Sequence, residues 1–103
     1  MNQNLLKNIK KMQDEMVTTQ QEIESSIFYA SAGGVVSVEV KGTKEIIKVE
    51  VAKEYVIEGE EDLELLGEMI VAACNQAYNE IDKTTKEKMG KYNDMLGSFG
   101  GLF

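Results

Sequence analysis

The chain has 103 residues, with 18 acids against 11 basic residues and a net charge of −7. Every basic residue is lysine; arginine, histidine, proline and tryptophan are absent, and Cys74 is the one cysteine. These counts exclude a Ser-His or Cys-His nucleophile pair, a cysteine-rich metal centre and an intramolecular disulfide. No glycine-rich phosphate loop is present either, so no enzyme activity and no cofactor are expected. An apolar content of 43% with 28% charged residues is that of one small globular domain. There is no signal-peptide pattern and no apolar run near 18 residues, which makes a cytoplasmic setting the expectation and a membrane partner not one.

Residues 3–29 read as one long helix. Leu5, Ile9, Met12, Met16, Ile23 and Ile27 step by 4, 3, 4, 7 and 4, with Thr19 in the skipped slot. That is a narrow apolar seam of nearly heptad rhythm, on a helix that needs a partner to be stable. "ASAGG" (30–34) reads as the helix stop, with Gly33 or Gly34 at positive φ. "GGVVSVEVKGTKEIIKVEV" then gives two strands and a turn. Val36, Val38 and Val40 share one face, as do Ile47, Val49 and Val51, and polar residues fill the other. Gly42 is expected to be the permissive residue of the turn. A short third strand is expected around Tyr55–Ile57.

Residues 54–68 hold seven acids and no lysine. Glu60, Glu61 and Asp62 suit the positive N-terminal end of a second long helix. Its seam is Leu63, Leu66, Ile70, Ala73, Ala77 and Ile81, weakening beyond. The expected architecture is therefore α+β in a single domain: a helical arm (1–29), a small antiparallel sheet of two or three strands (34–57), a second helix or helices (60–96) and a flexible tail (97–103). Two long amphipathic helices and so few strands cannot cover each other within one chain. An intertwined homodimer is the economical solution.

Three stretches carry a resemblance. They are the hairpin Gly34–Val51, the run Ala72–Ala73–x–Asn75–x–Ala77, and the terminal Gly101–Leu102–Phe103. In this order and spacing, over essentially the whole chain, the sequence resembles the YbaB/EbfC family of bacterial nucleoid-associated proteins. The resemblance implies a tweezer-like α/β homodimer that binds duplex DNA with little sequence preference. It also implies a place in the nucleoid and a role in nucleoid organisation and gene regulation. The chain departs from many members in having no arginine.

Candidate DNA contacts are the lysines near the helix ends. Lys7, Lys10 and Lys11 lie in the first 13 residues, where there are no acids, and spacings of 3 and 4 put them on one face. They read as a solvated helix end or as a phosphate-contacting tip. Lys83, Lys86, Lys88 and Lys91 are interleaved with Asp82, Glu87 and Asp94, so they read as locally neutralised or as an extension of the same patch. Lys41, Lys44 and Lys48 are expected to pair across the strands with Glu39, Glu45 and Glu50. Cys74 and the methionines Met12, Met16, Met69, Met89 and Met95 read as core filler, and Asn75 as the holder of a local structural hydrogen bond. A surface with only lysine favours positioning on phosphates over base reading. The reading from a different class is a dimeric protein-interaction module whose arms grip a basic protein.

Overall fold

A computed structural model of the chain describes residues 3–98. Helix α1 spans Gln3–Ser25, strand β1 Ile27–Ala32, strand β2 Val36–Lys41, strand β3 Ile46–Val51 and helix α2 Glu60–Ser98. The strands form one antiparallel sheet in the order β1-β2-β3. The tail from residue 99 onward lies outside the described residues.

The α1 seam is as its spacing predicts. Met12 and Ile23 are buried, and Leu5, Ile9, Met16 and Thr19 are half-buried. The helix stops four residues earlier than the sequence suggests. Ser25 Oγ and Ser26 Oγ both donate to the carbonyl of Glu22, at 3.2 and 2.6 Å. Such back-bonding competes with continuation of the helical ladder. The following Ile27, Phe28 and Tyr29 are β-branched or aromatic and enter the sheet, pairing with Lys41, Val40 and Glu39.

The third strand is thus β1, on the N-terminal side of the hairpin, and not residues 55–57. There the backbone is engaged otherwise. Tyr55 N–H donates to Ala52 O in a turn, and Glu58 N–H donates to Asp62 Oδ2 at the start of α2. The two glycines accordingly make a hairpin turn, not a helix cap. Gly33 and Gly34 have φ of +61° and +66°, and Val35 N–H donates to Ala32 O at 3.1 Å.

Val36, Val38 and Val40 point to one face of the sheet and are fully buried against Met69, Ala73, Ala77 and Ile81 of α2. The alanines have no side chain beyond Cβ, which lets the helix lie close to the valines. α2 packs across β1 and β2 and hardly touches β3. Val51 and Val49 stand opposite Val36 and Val38, yet they are 37% and 42% exposed. A bulge between Glu39 and Val40 shifts the register. Ile46, not Ile47, therefore stands opposite Val40, and Ile47 is the extra residue.

Beyond Ile81, α2 leaves the sheet and pairs with α1. The α2 seam does not fade there; it continues through half-buried Thr85 and Met89 to buried Tyr92. Thr19 Oγ1 and Tyr92 Oη meet at 3.4 Å across the pair. The result is an elongated molecule of 71 × 21 × 15 Å, a sheet body with a two-helix arm.

Candidate nucleic-acid interface

All seven helix-end lysines lie on the arm. Lys7, Lys10 and Lys11 are exposed on α1, and Lys83, Lys86, Lys88 and Lys91 are exposed on the distal part of α2. Among the described residues none of the seven takes part in an ion pair. Each ammonium therefore keeps its donors for solvent or a ligand.

The helical repeat divides them. Lys7, Lys10 and Lys11 fall within about 100° of one another around α1. On α2, Lys83 and Lys86 share one side while Lys88 and Lys91 share another, about 140° away. The four do not form one continuous face. One junction does bring the two helices' lysines together. Lys91 Nζ lies 4.9 Å from the centre of the Tyr92 ring. Tyr92 also closes a groove of about 310 Å³ lined by Lys11, Asp14, Glu15, Thr18 and Thr19. Lys11 and Lys91 thus border the same buried tyrosine from opposite helices. Asp14 and Glu15 limit the positive surface to the tip side of this groove.

The lysines of the sheet differ. Lys41 pairs with Glu45 across the turn at 3.7 Å, whereas Lys48 pairs not across the sheet but with Glu50, two residues along β3, at 3.7 Å. Lys44 is the exception in its partner: its Nζ reaches Asp82 Oδ1 of α2 at 2.9 Å. Its carbonyl also accepts a hydrogen bond from Tyr78 Oη at 3.0 Å. Spacing alone gives no sign of this link between elements 34 and 38 residues apart. Tyr92 was recoverable, because Ile81, Thr85, Met89 and Tyr92 step by 4, 4 and 3.

Two other residues are now placed. Cys74 is half-buried on the flank of α2, beside but not inside the fully buried cluster. Asn75 is exposed. Among the described residues no helix is long and apolar enough to cross a membrane.

Residues 1–96 match the model of the YbaB/EbfC DNA-binding family. The chain belongs to this family. It is 42% identical over 101 residues to a nucleoid-associated protein of Clostridium novyi, an alignment covering 97% of this chain and 86% of that one. It is 40% identical over 101 residues to a nucleoid-associated protein of Oceanobacillus iheyensis, covering 97% and 94%. The fold is shared with an uncharacterized Helicobacter pylori protein of known crystal structure, HP0035. The TM-score is 0.66 at 21% identity, over 93% of this chain and 98% of that one. The family's description is one of DNA binding and names no reaction.

Proposed function

We propose that the protein binds duplex DNA as a homodimer, with little sequence preference, and organises the nucleoid through that binding. The observation that carries this reading is the contrast among lysines. Seven on the arm are exposed and free of ion pairs among the described residues, whereas Lys41, Lys44 and Lys48 of the sheet are all paired. Lysine offers a point charge with rotatable donors, which suits phosphate oxygens and lacks the planar fork that reads guanine bidentately. Phosphate contacts fix position and carry little sequence information. Membership of a DNA-binding family supports the same partner.

A second copy of the chain is supported by β3. Ile46, Ile47, Val49 and Val51 are each 37–47% exposed, on a strand that α2 hardly reaches. Leu63 and Val71 on α2 are exposed as well. An apolar strand left uncovered by its own helix invites a second protomer. Two protomers would present two arms, and with them two copies of each lysine cluster.

The reading that the chain grips a basic protein instead draws on the other end of α2. There exposed Val56, Ile57, Leu63 and Leu65 lie among the acids of residues 54–68. A titration of random-sequence duplex DNA across salt concentrations separates the two. Binding that weakens steeply with salt and does not change with sequence supports the DNA reading. No binding at about 20 mM salt, where screening is weakest, overturns it in favour of the protein partner.

A further inference from the structure

The β2–β3 turn sits where both helices leave the sheet. On one side Gly42 N–H donates to Ser26 O at 3.0 Å. Its α-carbon lies so close to the end of α1 that an added Cβ would come within 2.6 Å of the Ile23 carbonyl carbon. On the other side Lys44 meets α2 three times. Its carbonyl accepts from Tyr78 Oη at 3.0 Å, its Nζ pairs with Asp82 Oδ1 at 2.9 Å, and the same Nζ lies 5.5 Å from the Tyr78 ring centre. Lys44 has a φ of +75°, the one positive value outside glycine among the described residues. A lysine enters that region at a cost, so the surrounding contacts hold it there.

The place of these contacts along α2 gives them a consequence. Ile81 is the last residue of the helix in the sheet-facing cluster. Immediately beyond, Thr85 Oγ1 donates back to Ile81 O at 2.8 Å, an arrangement that bends helices. Tyr78 and Asp82 therefore grip the turn within one helical turn of the point where α2 leaves its core and becomes the arm. An exposed ion pair adds little to stability, so this one acts on direction more than on the fold.

We propose that Lys44 is a positioning residue for the DNA grip, clamping the β2–β3 turn to α2 and thereby fixing the angle between arm and sheet. Its effect on DNA rests on the reading that the arm lysines hold phosphates; the clamp itself does not. Loss of the clamp lets the arm swing, and a swinging grip spends part of its binding free energy on ordering itself.

Residual dipolar couplings on the full ¹⁵N-labelled chain test this. In the parent, amides of β1–β3 and amides of α1 and of α2 beyond Thr85 should fit one alignment tensor. Lys44→Gly keeps the backbone conformation available and removes the ammonium; Asp82→Ala removes its partner. Both should leave the protein folded, with arm couplings that no longer fit the sheet's tensor, and Lys44→Arg should restore the single fit. The dissociation constant for random duplex DNA should rise about threefold in Lys44→Gly and recover in Lys44→Arg. A single tensor in Lys44→Gly overturns the clamp. A loosened arm with unchanged DNA affinity, in a parent that binds DNA, overturns the positioning role. A parent that binds no DNA at low salt would remove the arm-lysine reading, and the couplings would still decide the clamp.

Discussion

The arm and the body of this molecule carry different charge. Counting α1 and α2 from Asp82 onward as the arm, it holds seven lysines and seven acids; residues 26–81 hold four lysines and eleven acids. The whole net charge of −7 therefore belongs to the body. α2 alone is about 58 Å long at 1.5 Å per residue, and the Debye length is about 10 Å at 0.1 M salt. The acids at its first turns are screened from a phosphate held near the other end. Whole-chain charge argues against an anionic partner, whereas the distribution of charge along one helix permits it. The acidic body also repels DNA locally, which favours contact at the arm.

Packing separates the two regions in the same way. The body has a continuous cluster of valines, alanines, Met69 and Ile81, while the arm is a two-helix seam with Met12 and Tyr92 buried. A thinner core means lower local stability and earlier opening. The joint between the regions should then be the most sensitive place in the chain. At Gly42 a Cβ would collide with the backbone of Ile23, which cannot turn aside as a flexible side chain does. Gly42→Ala should cost about 3 kcal/mol, a large share of the stability of a domain this size. Thermal melting should show a drop of more than about 10 °C. A melting point within about 2 °C of the parent would mean that α1 is not seated on the turn as described.

The next largest effect concerns the bare side of the body. Val49 sits in the middle of β3 with 42% of its surface exposed in the single chain, so Val49→Asp should leave that chain folded. If a second protomer covers β3, the same change buries an unpaired charge in the interface and should weaken self-association by at least about 100-fold. Light scattering across a dilution series reads this directly. Lys48→Asp, on the polar face of the same strand, is the control and should leave the mass unchanged. Equal behaviour of the two variants would place the interface elsewhere or remove it.

These regions were not equally legible from sequence. Alternation in β2 and the α1 seam follow from periods of 2 and near 3.5, and the structure has them as read. β1 was missed because Ile27 fits the helical period as well as it fits a strand, and a seven-residue step already bridges Thr19. What ends the helix is the pair Ser25 and Ser26 bonding back to Glu22, a local signal that apolar periodicity does not weigh. The short strand expected at Tyr55–Ile57 had β-favouring residues, but its backbone went to a turn and a cap instead of to a sheet edge. Among the candidate site lysines, their exposure followed from helix position. The partner of Lys44 did not, because it depends on where α2 crosses the sheet.

Arm and sheet lysines can be compared directly by charge removal. Changing Lys7, Lys10 and Lys11 together to glutamine should keep the fold, since all three are exposed and lie off the α1 seam. With two copies of each in a dimer, full engagement would give a log–log salt slope of about −5, at roughly −0.9 per phosphate. Partial engagement should give about −2 to −4, and the triple variant should flatten it further. Lys41 and Lys48 changed in the same way should alter DNA binding less, because their charges are already paired on the sheet. Equal binding by the arm variant and the parent at every salt concentration would take the tip of α1 out of the interface.

The smallest expected effect belongs to the body and appears only at high pH. Tyr55 is half-buried, and its Oη donates to Asp62 O at 2.6 Å, tying the loop after β3 to the first turn of α2. Burial raises its pKa above the usual value near 10, and the Asp62 carboxylate adds to the rise. The unfolded phenol therefore ionises before the folded one. The contribution of this group is complete below pH 10 and is lost as the pH climbs through the raised folded-state value. Tyr55→Phe removes the bond at every pH and should lower the melting temperature by a few degrees at neutrality. The gap between parent and variant should then narrow above pH 10, because only the parent has a phenol at position 55 to ionise. All other residues are common to both proteins and cancel in this difference. A gap that stays constant from pH 8 to pH 11 would show that the loop is held by packing of the ring alone.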